Sequence, residues 1–236
     1  MATKKKTSPS APEVIATLKR MASKKVRDGM ARYAIPSEHA LGIPVGALRQ
    51  LGKKLGKDHE LALALWESGI YEARMLASFV GEPDQLTPAQ MDRFCRDFDN
   101  WAIVDTLCFA LFDRTPHAFS KITAWSKKSA EFEKRAAFAL LASVALHDKA
   151  ANDAAFIKTL PLIERAASDE RNFVKKGVSW ALRSIGARNL ALLDTCLEFA
   201  SKLAASGDPT RRWIGKDALR DLSRPAVRKK LTARVK

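Results

Sequence analysis

Residues 133–141 read EKRAAFALL, residues 175–183 read KKGVSWALR, and residues 212–220 read RWIGKDALR. Each segment combines basic residues, a small or apolar spacer and an Ala-Leu pair. The alanines of these pairs are Ala139, Ala181 and Ala218. They recur at intervals of 42 and 37 residues, and helical units of about 40 residues are typical of HEAT and armadillo arrays. This spacing favours a stacked helical solenoid over a compact bundle in which the similarity would be accidental.

Helix signals also recur outside these segments, whereas strand signals are almost absent. Leu61, Leu65 and Trp66 follow helical spacing, and Leu86–Thr87–Pro88 is typical of an N-cap followed by proline at the first helical position. Helix-breaking stretches occur at 56–58, 81–83 and 207–209. We therefore expect an all-α, HEAT-like repeat fold of about a dozen helices of roughly 10–18 residues, with a concave basic face.

The charge of the chain predicts an anionic partner. Lys and Arg total 41 against 26 Asp and Glu, which gives a formal net charge of +15. Nucleic acid and an acidic membrane surface both fit this excess, and nucleic acid is the favoured interpretation. No stretch approaches the ~20 apolar residues of a membrane span, so we expect no membrane partner.

Composition also suggests how the chain is divided. We expect residues 1–12 to be a disordered basic arm, residues 13–226 to be the repeat domain, and residues 227–236 to be a basic tail, for which a frayed helix is one interpretation. The three cysteines, Cys95, Cys108 and Cys196, are scattered and lie in apolar stretches. They predict buried, reduced thiols and a cytoplasmic protein. The four histidines have no metal-ligand spacing, so we expect no metal site.

The densest candidate for chemistry is NWAIVDTLCFALFDRTP at residues 100–116. Trp101 and Asp105 are four residues apart, so a helix would place them on one face. A carboxylate beside an indole is unusual on a stripe that faces a core. The alternative is structural: Trp101 belongs to the core, and Asp105 caps a helix or pairs with an arginine.

Further candidates lie in the repeated segments, where the basic pairs are expected to project on a common face. Trp180 lies within such a basic stripe, a combination that suits nucleic acid because indole stacks on bases and cations hold phosphates. Packing between helices is its alternative role. Trp66 and Trp125 are assigned to the core, and Trp213 could be either. The predicted DNA-binding positions are Arg135, Lys175, Lys176, Arg183 and Arg212.

Taken in order along the chain, several strings resemble the bacterial alkylpurine DNA glycosylases of the AlkD type, which are built from HEAT-like repeats. The resemblance covers roughly residues 25 to 222. The strings are MARY (30–33), ALGIP (40–44) followed by Leu48 and Arg49, WAIVD (101–105), KRAA (134–137) and FVKKGVSWALR (173–183). Their order and combination are more specific than any single string.

The resemblance implies a function and a set of site residues. It implies excision of cationic alkylated purines from duplex DNA without a cofactor, with the lesion recognised from the backbone side. Trp101, Asp105 and Trp180 match the lesion-contacting, catalytic positions of the family. Arg135 matches a DNA-contacting arginine, and Tyr33 matches an aromatic near the same cleft.

Two departures bear on substrate range. Asn100 stands where the family pattern has another tryptophan, and residues 58–81 resemble a separate branch of the family. Two rival functions share the fold and the charge. One is a non-catalytic HEAT-like DNA-binding or scaffold protein, and the other is a solenoid whose basic face meets an acidic protein. We expect the protein to be a monomer.

Overall fold

The computed structural model describes residues 9–233, and every regular element among them is helical. The all-α prediction is therefore confirmed. The chain divides into two compact units on either side of Leu111 and Phe112. Their described parts are residues 9–111 and 112–233.

The first unit contains seven α-helices, together with short 3₁₀ helices at Met30–Tyr33 and Pro83–Gln85. The α-helices are α1 (Ala11–Arg20), α2 (Lys24–Asp28), α3 (Val45–Leu55), α4 (His59–Glu67), α5 (Tyr71–Val80), α6 (Pro88–Arg96) and α7 (Trp101–Ala110). Helix α5 lies at the centre and packs against α3, α4 and α7. Seven of its ten residues are buried, so this helix forms the core of the unit.

Trp66 on α4 joins the core of the first unit to α6. Its ring stacks on Phe94 at a centroid distance of 4.1 Å. Its indole Nε1 donates a 2.8 Å hydrogen bond to Asp97, which satisfies the polar atom of a fully buried side chain. The core assignment of Trp66 is confirmed.

The second unit contains eight α-helices, preceded by a 3₁₀ helix at Phe112–Arg114. They are α8 (Ala118–Trp125), α9 (Glu131–His147), α10 (Asp153–Ile157), α11 (Leu160–Ala166), α12 (Asn172–Gly186), α13 (Leu190–Ala204), α14 (Pro209–Leu222) and α15 (Pro225–Thr232). The three repeated segments fall on α9, α12 and α14, and α12 packs against both of the others. The Ala-Leu alanines Ala139, Ala181 and Ala218 are all fully buried, so the sequence repeat marks successive stacked helices.

An ionic cluster links the first two of these stacked helices. Lys134 on α9 donates to Asp169 at 2.9 Å. Arg171, at the start of α12, holds the same carboxylate with two guanidinium nitrogens at 2.8 and 2.6 Å. The hydrogen bonds from Arg171, reinforced by Lys134, lower the pKa of Asp169 far below its usual range.

Several expectations about the elements can now be checked. The Thr87 cap is confirmed, since its side chain accepts from Gln90 N and Pro88 opens α6. Trp125 is buried, as are Cys95, Cys108 and Cys196. Burial raises the pKa of the Cys196 thiol to about 12, which keeps it protonated.

The expected helix lengths and terminal boundaries need correction. Fifteen α-helices occur among residues 9–233, and α2 and α10 have only five residues each. Helix α1 begins at Ala11, inside the expected N-terminal arm, because Ser10 and Glu13 form a capping box ahead of Pro12. Residues 227–232 of the basic tail are helical, in α15. Residues 1–8 of the arm and 234–236 of the tail lie outside the described residues.

Candidate nucleic-acid interface

Asn100 fixes the start of the helix that carries the first candidate pair. Its Oδ1 accepts hydrogen bonds from the backbone N–H groups of Ala102 at 3.0 Å and Ile103 at 3.1 Å. Asparagine is among the preferred N-cap residues, whereas tryptophan has no oxygen to accept these bonds. The departure from the family pattern at Asn100 therefore has a local role, since it makes Trp101 the first residue of α7.

Trp101 and Asp105 occupy the half-exposed face of α7. The opposite face is packed into the unit through Ile103, Val104 and Leu107, which are 1% exposed or less. Trp101 and Asp105 are both only partly buried and lie about one helical turn apart. The shared face predicted from their spacing is thus observed, and Trp101 is not a fully buried core residue.

Tyr33 meets the same helix through its backbone. The Trp101 indole Nε1 donates a 2.7 Å hydrogen bond to the Tyr33 carbonyl, while the Tyr33 side chain is 67% exposed. The next residue, Ala34, has a φ of 53°, a left-handed conformation that turns the chain away from the end of the 3₁₀ helix. Tyr33, Trp101 and Asp105 are therefore brought to one region of the first unit, with the indole orientation fixed.

The loop that follows Tyr33 is fixed by a buried residue that the sequence analysis did not single out. Glu72 on α5 is fully buried, and its carboxylate accepts the backbone N–H groups of Leu41, Gly42 and Ile43 at 2.7, 2.6 and 3.1 Å. This explains the ALGIP string as a loop bound by a carboxylate. About 30 residues and two helices separate Glu72 from this loop, so the sequence offered no local signal for the contact.

In the second unit, Trp180 and Arg183 line one cavity. Its volume is about 260 Å³, and its walls also include Leu146, Lys149 and Lys230. Arg183 is partly neutralised there, because its guanidinium lies 3.1 Å from Asp221 and 3.6 Å from Asp217. The cavity therefore combines a half-buried indole with basic side chains, although part of the positive charge is compensated.

Arg135 differs from the other predicted DNA-binding cations because it lies inside the unit. It is only 6% exposed, and its Nη1 donates a 2.8 Å hydrogen bond to the Phe173 carbonyl at the start of α12. Its guanidinium also lies 5.9 Å from the centroid of the Phe173 ring. These contacts join α9 to α12.

The remaining predicted cations belong to α12 and α14. Lys176 and Arg212 are exposed, and Arg212 donates to the Ser206 carbonyl at 3.2 Å. Lys175 is half-buried, with its Nζ 5.3 Å from the centroid of the Trp213 ring. Trp213, which the sequence left unassigned, is 37% exposed.

The basic pairs, which were expected to share a common face, have different surroundings. Lys134 and Arg135 make contacts between α9 and α12 or the segment before it, whereas Lys176 and Arg212 are exposed.

Residues 9–233 contain no group of three or more His, Cys, Asp or Glu side chains arranged to hold a metal ion. None of the helices in this range combines the length and apolar character needed to cross a membrane.

The stacked helices place the protein in the class of helical-repeat proteins. Aromatic side chains beside exposed cations are typical of proteins that bind nucleic acid. The model of the family of DNA alkylation repair enzymes matches residues 14–222. Because this match covers most of the chain, the protein belongs to the DNA alkylation repair enzyme family. No curated protein gives a significant match.

A solved structure supports the same fold. It belongs to a protein described as one of a new family related to the HEAT-like repeat DNA glycosylases with affinity for branched DNA structures. The TM-score is 0.74 at 16% sequence identity, and the match covers 90% of this chain and 95% of that chain. At this identity the likeness shows the fold, and the HEAT-like prediction is confirmed.

Proposed function

We propose that the protein is a DNA glycosylase that removes cationic alkylated purines, such as N7-methylguanine and N3-methyladenine, from duplex DNA. The observation that carries this proposal is the pairing of Trp101 and Asp105 on the half-exposed face of α7, with the indole held by Tyr33. Membership of the DNA alkylation repair enzyme family supports it. In this proposal Trp180 and the exposed cations of the second unit contact the bound DNA strand.

The proposed chemistry needs little from the protein beyond a fixed negative charge. A purine alkylated at N7 or N3 is already cationic, so the C1′–N bond breaks with both electrons leaving on the base. Positive charge develops on the sugar, water adds to C1′, and the water proton passes to solvent. A carboxylate beside the sugar stabilises the transition state more than the ground state.

The magnitude of this effect is sufficient for a labile substrate. One charge pair at about 4 Å and an effective dielectric constant near 20 contributes about 4 kcal/mol, which corresponds to roughly a thousandfold in rate. In this proposal Asp105 supplies the charge, and the electron-rich face of Trp101 adds a weaker attraction for the cationic sugar. Tyr33 positions Trp101 through its carbonyl.

The second candidate is a DNA-binding protein without catalysis. It is favoured by the structural neighbour, which is described by its affinity for branched DNA. Asn100, where the family pattern has a tryptophan, also fits a different range of DNA targets. The two candidates share a DNA-bound state and differ in whether a base is released.

Release of free base separates the candidates. Excess protein is incubated with duplex DNA that contains N7-methylguanine, and the free base is measured against spontaneous depurination and a mock preparation from the same host. We expect release well above both backgrounds. Tight binding of the duplex without any added release would reject the glycosylase and favour the second candidate.

A further inference from the structure

Trp213 is an exposed aromatic residue that the proposed base excision does not use. It lies on α14, and 37% of its surface reaches solvent. Trp66 and Trp125, by comparison, are 1% exposed or less. An indole that reaches solvent offers a flat ring on which an unpaired base can stack.

Two lysines lie beside this indole. Lys175 on α12 places its Nζ 5.3 Å from the ring centroid, and the exposed Lys216 follows Trp213 by three residues, which puts it next to Trp213 on the helix surface. The exposed Arg212 precedes Trp213 and is turned from it by about 100° around the helix. Within residues 9–233, none of these three cations forms an ion pair.

The acidic groups of this region are engaged elsewhere. Glu164 binds Arg211 at 3.0 Å, and the Asp208 carboxylate caps α14 by accepting the backbone N–H groups of Thr210 and Arg211. Farther along α14, Asp217 and Asp221 pair with Arg183. The positive charge around Trp213 is therefore left for an external anion, unlike the charge of Arg183.

We propose that Trp213, Lys175, Arg212 and Lys216 form a second DNA contact, which binds an unpaired base and the phosphates beside it. The ring supplies a stacking surface and the cations supply phosphate contacts, the combination that single-stranded nucleic acid needs. Bases within a duplex are covered by their neighbours. The preferred target is consequently a single-stranded segment that adjoins the duplex.

Binding measurements on three DNA probes test this inference. They are a single strand of about 15 nucleotides, a blunt duplex, and the same duplex with a single-stranded overhang. Trp213→Ala should weaken binding of the single strand and the overhang probe by about tenfold and leave the blunt duplex within about twofold. Trp213→Phe keeps a stacking ring and should retain most of the affinity.

Ile157→Ala is the matched control, because Ile157 is another exposed apolar residue of the second unit, at 46%. It should bind all three probes like the wild type. Equal losses for Trp213→Ala and Ile157→Ala, unchanged binding by Trp213→Ala, or an equal loss on blunt and overhang probes would each overturn the proposal.

This inference rests on the proposed function only in requiring that the protein binds DNA. Trp213→Ala should excise N7-methylguanine from a blunt duplex at the wild-type single-turnover rate when protein is saturating. Asp105→Asn should preserve the preference for the overhang probe. Failure of the wild type to release base would therefore reject the glycosylase while leaving the Trp213 contact supported by the binding data.

Discussion

Lys176 and Arg135 show how strongly neighbouring helices decide the role of a basic residue. Both were predicted to contact DNA from their place in a repeated motif. The structure leaves Lys176 exposed, whereas Arg135 is 6% exposed and bonded to the Phe173 carbonyl. DNA contact by either residue stays a prediction, but their surroundings now distinguish the consequences of replacing them.

Arg135→Ala should lower the free energy of unfolding by about 1.5–3 kcal/mol, because it removes a buried hydrogen bond from a charged donor. Urea unfolding measures this loss.

Lys176→Ala should leave stability unchanged and reduce the salt slope of duplex binding by about 0.9, the value for one lost phosphate contact. DNA titrations at several salt concentrations measure this slope. A wild-type salt slope for Lys176→Ala would place the DNA away from this residue.

The residue-scale predictions that succeeded were those set by local spacing. Trp101 and Asp105 share a face because four residues span about one helical turn. Glu72 and Asn100 were missed as structural determinants, since their partners depend on how a loop and a cap are arranged. Spacing along the chain carries no information about those arrangements.

At the scale of elements, the close packing of α13 and α14 depends on one glycine. A Cβ added to Gly215 would lie 2.3 Å from Ala204 N and 2.6 Å from the Ala200 carbonyl oxygen. Both contacts are with the backbone of α13, which cannot move aside as a flexible side chain can. The absence of a side chain at Gly215 thus sets the distance between these helices.

Gly215→Ala should lower the free energy of unfolding by about 1–3 kcal/mol, the usual cost of overpacking a core. Gly207→Ala is the matched control, because nothing lies within 4 Å of a Cβ at that position. Chemical unfolding of both variants gives the comparison. Equal stabilities would show that α13 and α14 separate without cost and would contradict the packing described here.

Sequence predicted long helices better than short ones. Thr87 and Pro88 mark a helix start that the structure reproduces. Helices α2 and α10 have five residues each, too few for an apolar period of 3.6 residues to repeat. Each begins at a side-chain cap, Ser23 for α2 and Asn152 for α10, a signal that apolar periodicity does not include.

At the scale of the whole molecule, the interval of about 40 residues was enough to predict the HEAT-like fold. The division at Leu111 and Phe112 was not foreseen, because both residues are fully buried and no Pro- or Gly-rich linker marks the boundary. Net charge predicted an anionic partner, but it could not say which cations remain exposed. Ion pairs within the fold, such as Arg183 with Asp221, decide that.

The central claim is that the negative charge of Asp105 drives base excision, and Asp105→Asn tests it most directly. Asparagine keeps the size and hydrogen-bonding reach of aspartate and removes the charge. Asp84→Asn is the matched control, since it removes the charge of an exposed aspartate in the same unit. Melting temperature and DNA affinity are measured on each variant alongside the single-turnover release of N7-methylguanine.

We expect Asp105→Asn to fold and to bind duplex DNA like the wild type, with a single-turnover rate lower by up to about a thousandfold. Asp84→Asn should match the wild type in all three measurements. A well-folded Asp105→Asn protein that releases N7-methylguanine at the wild-type rate would contradict the account.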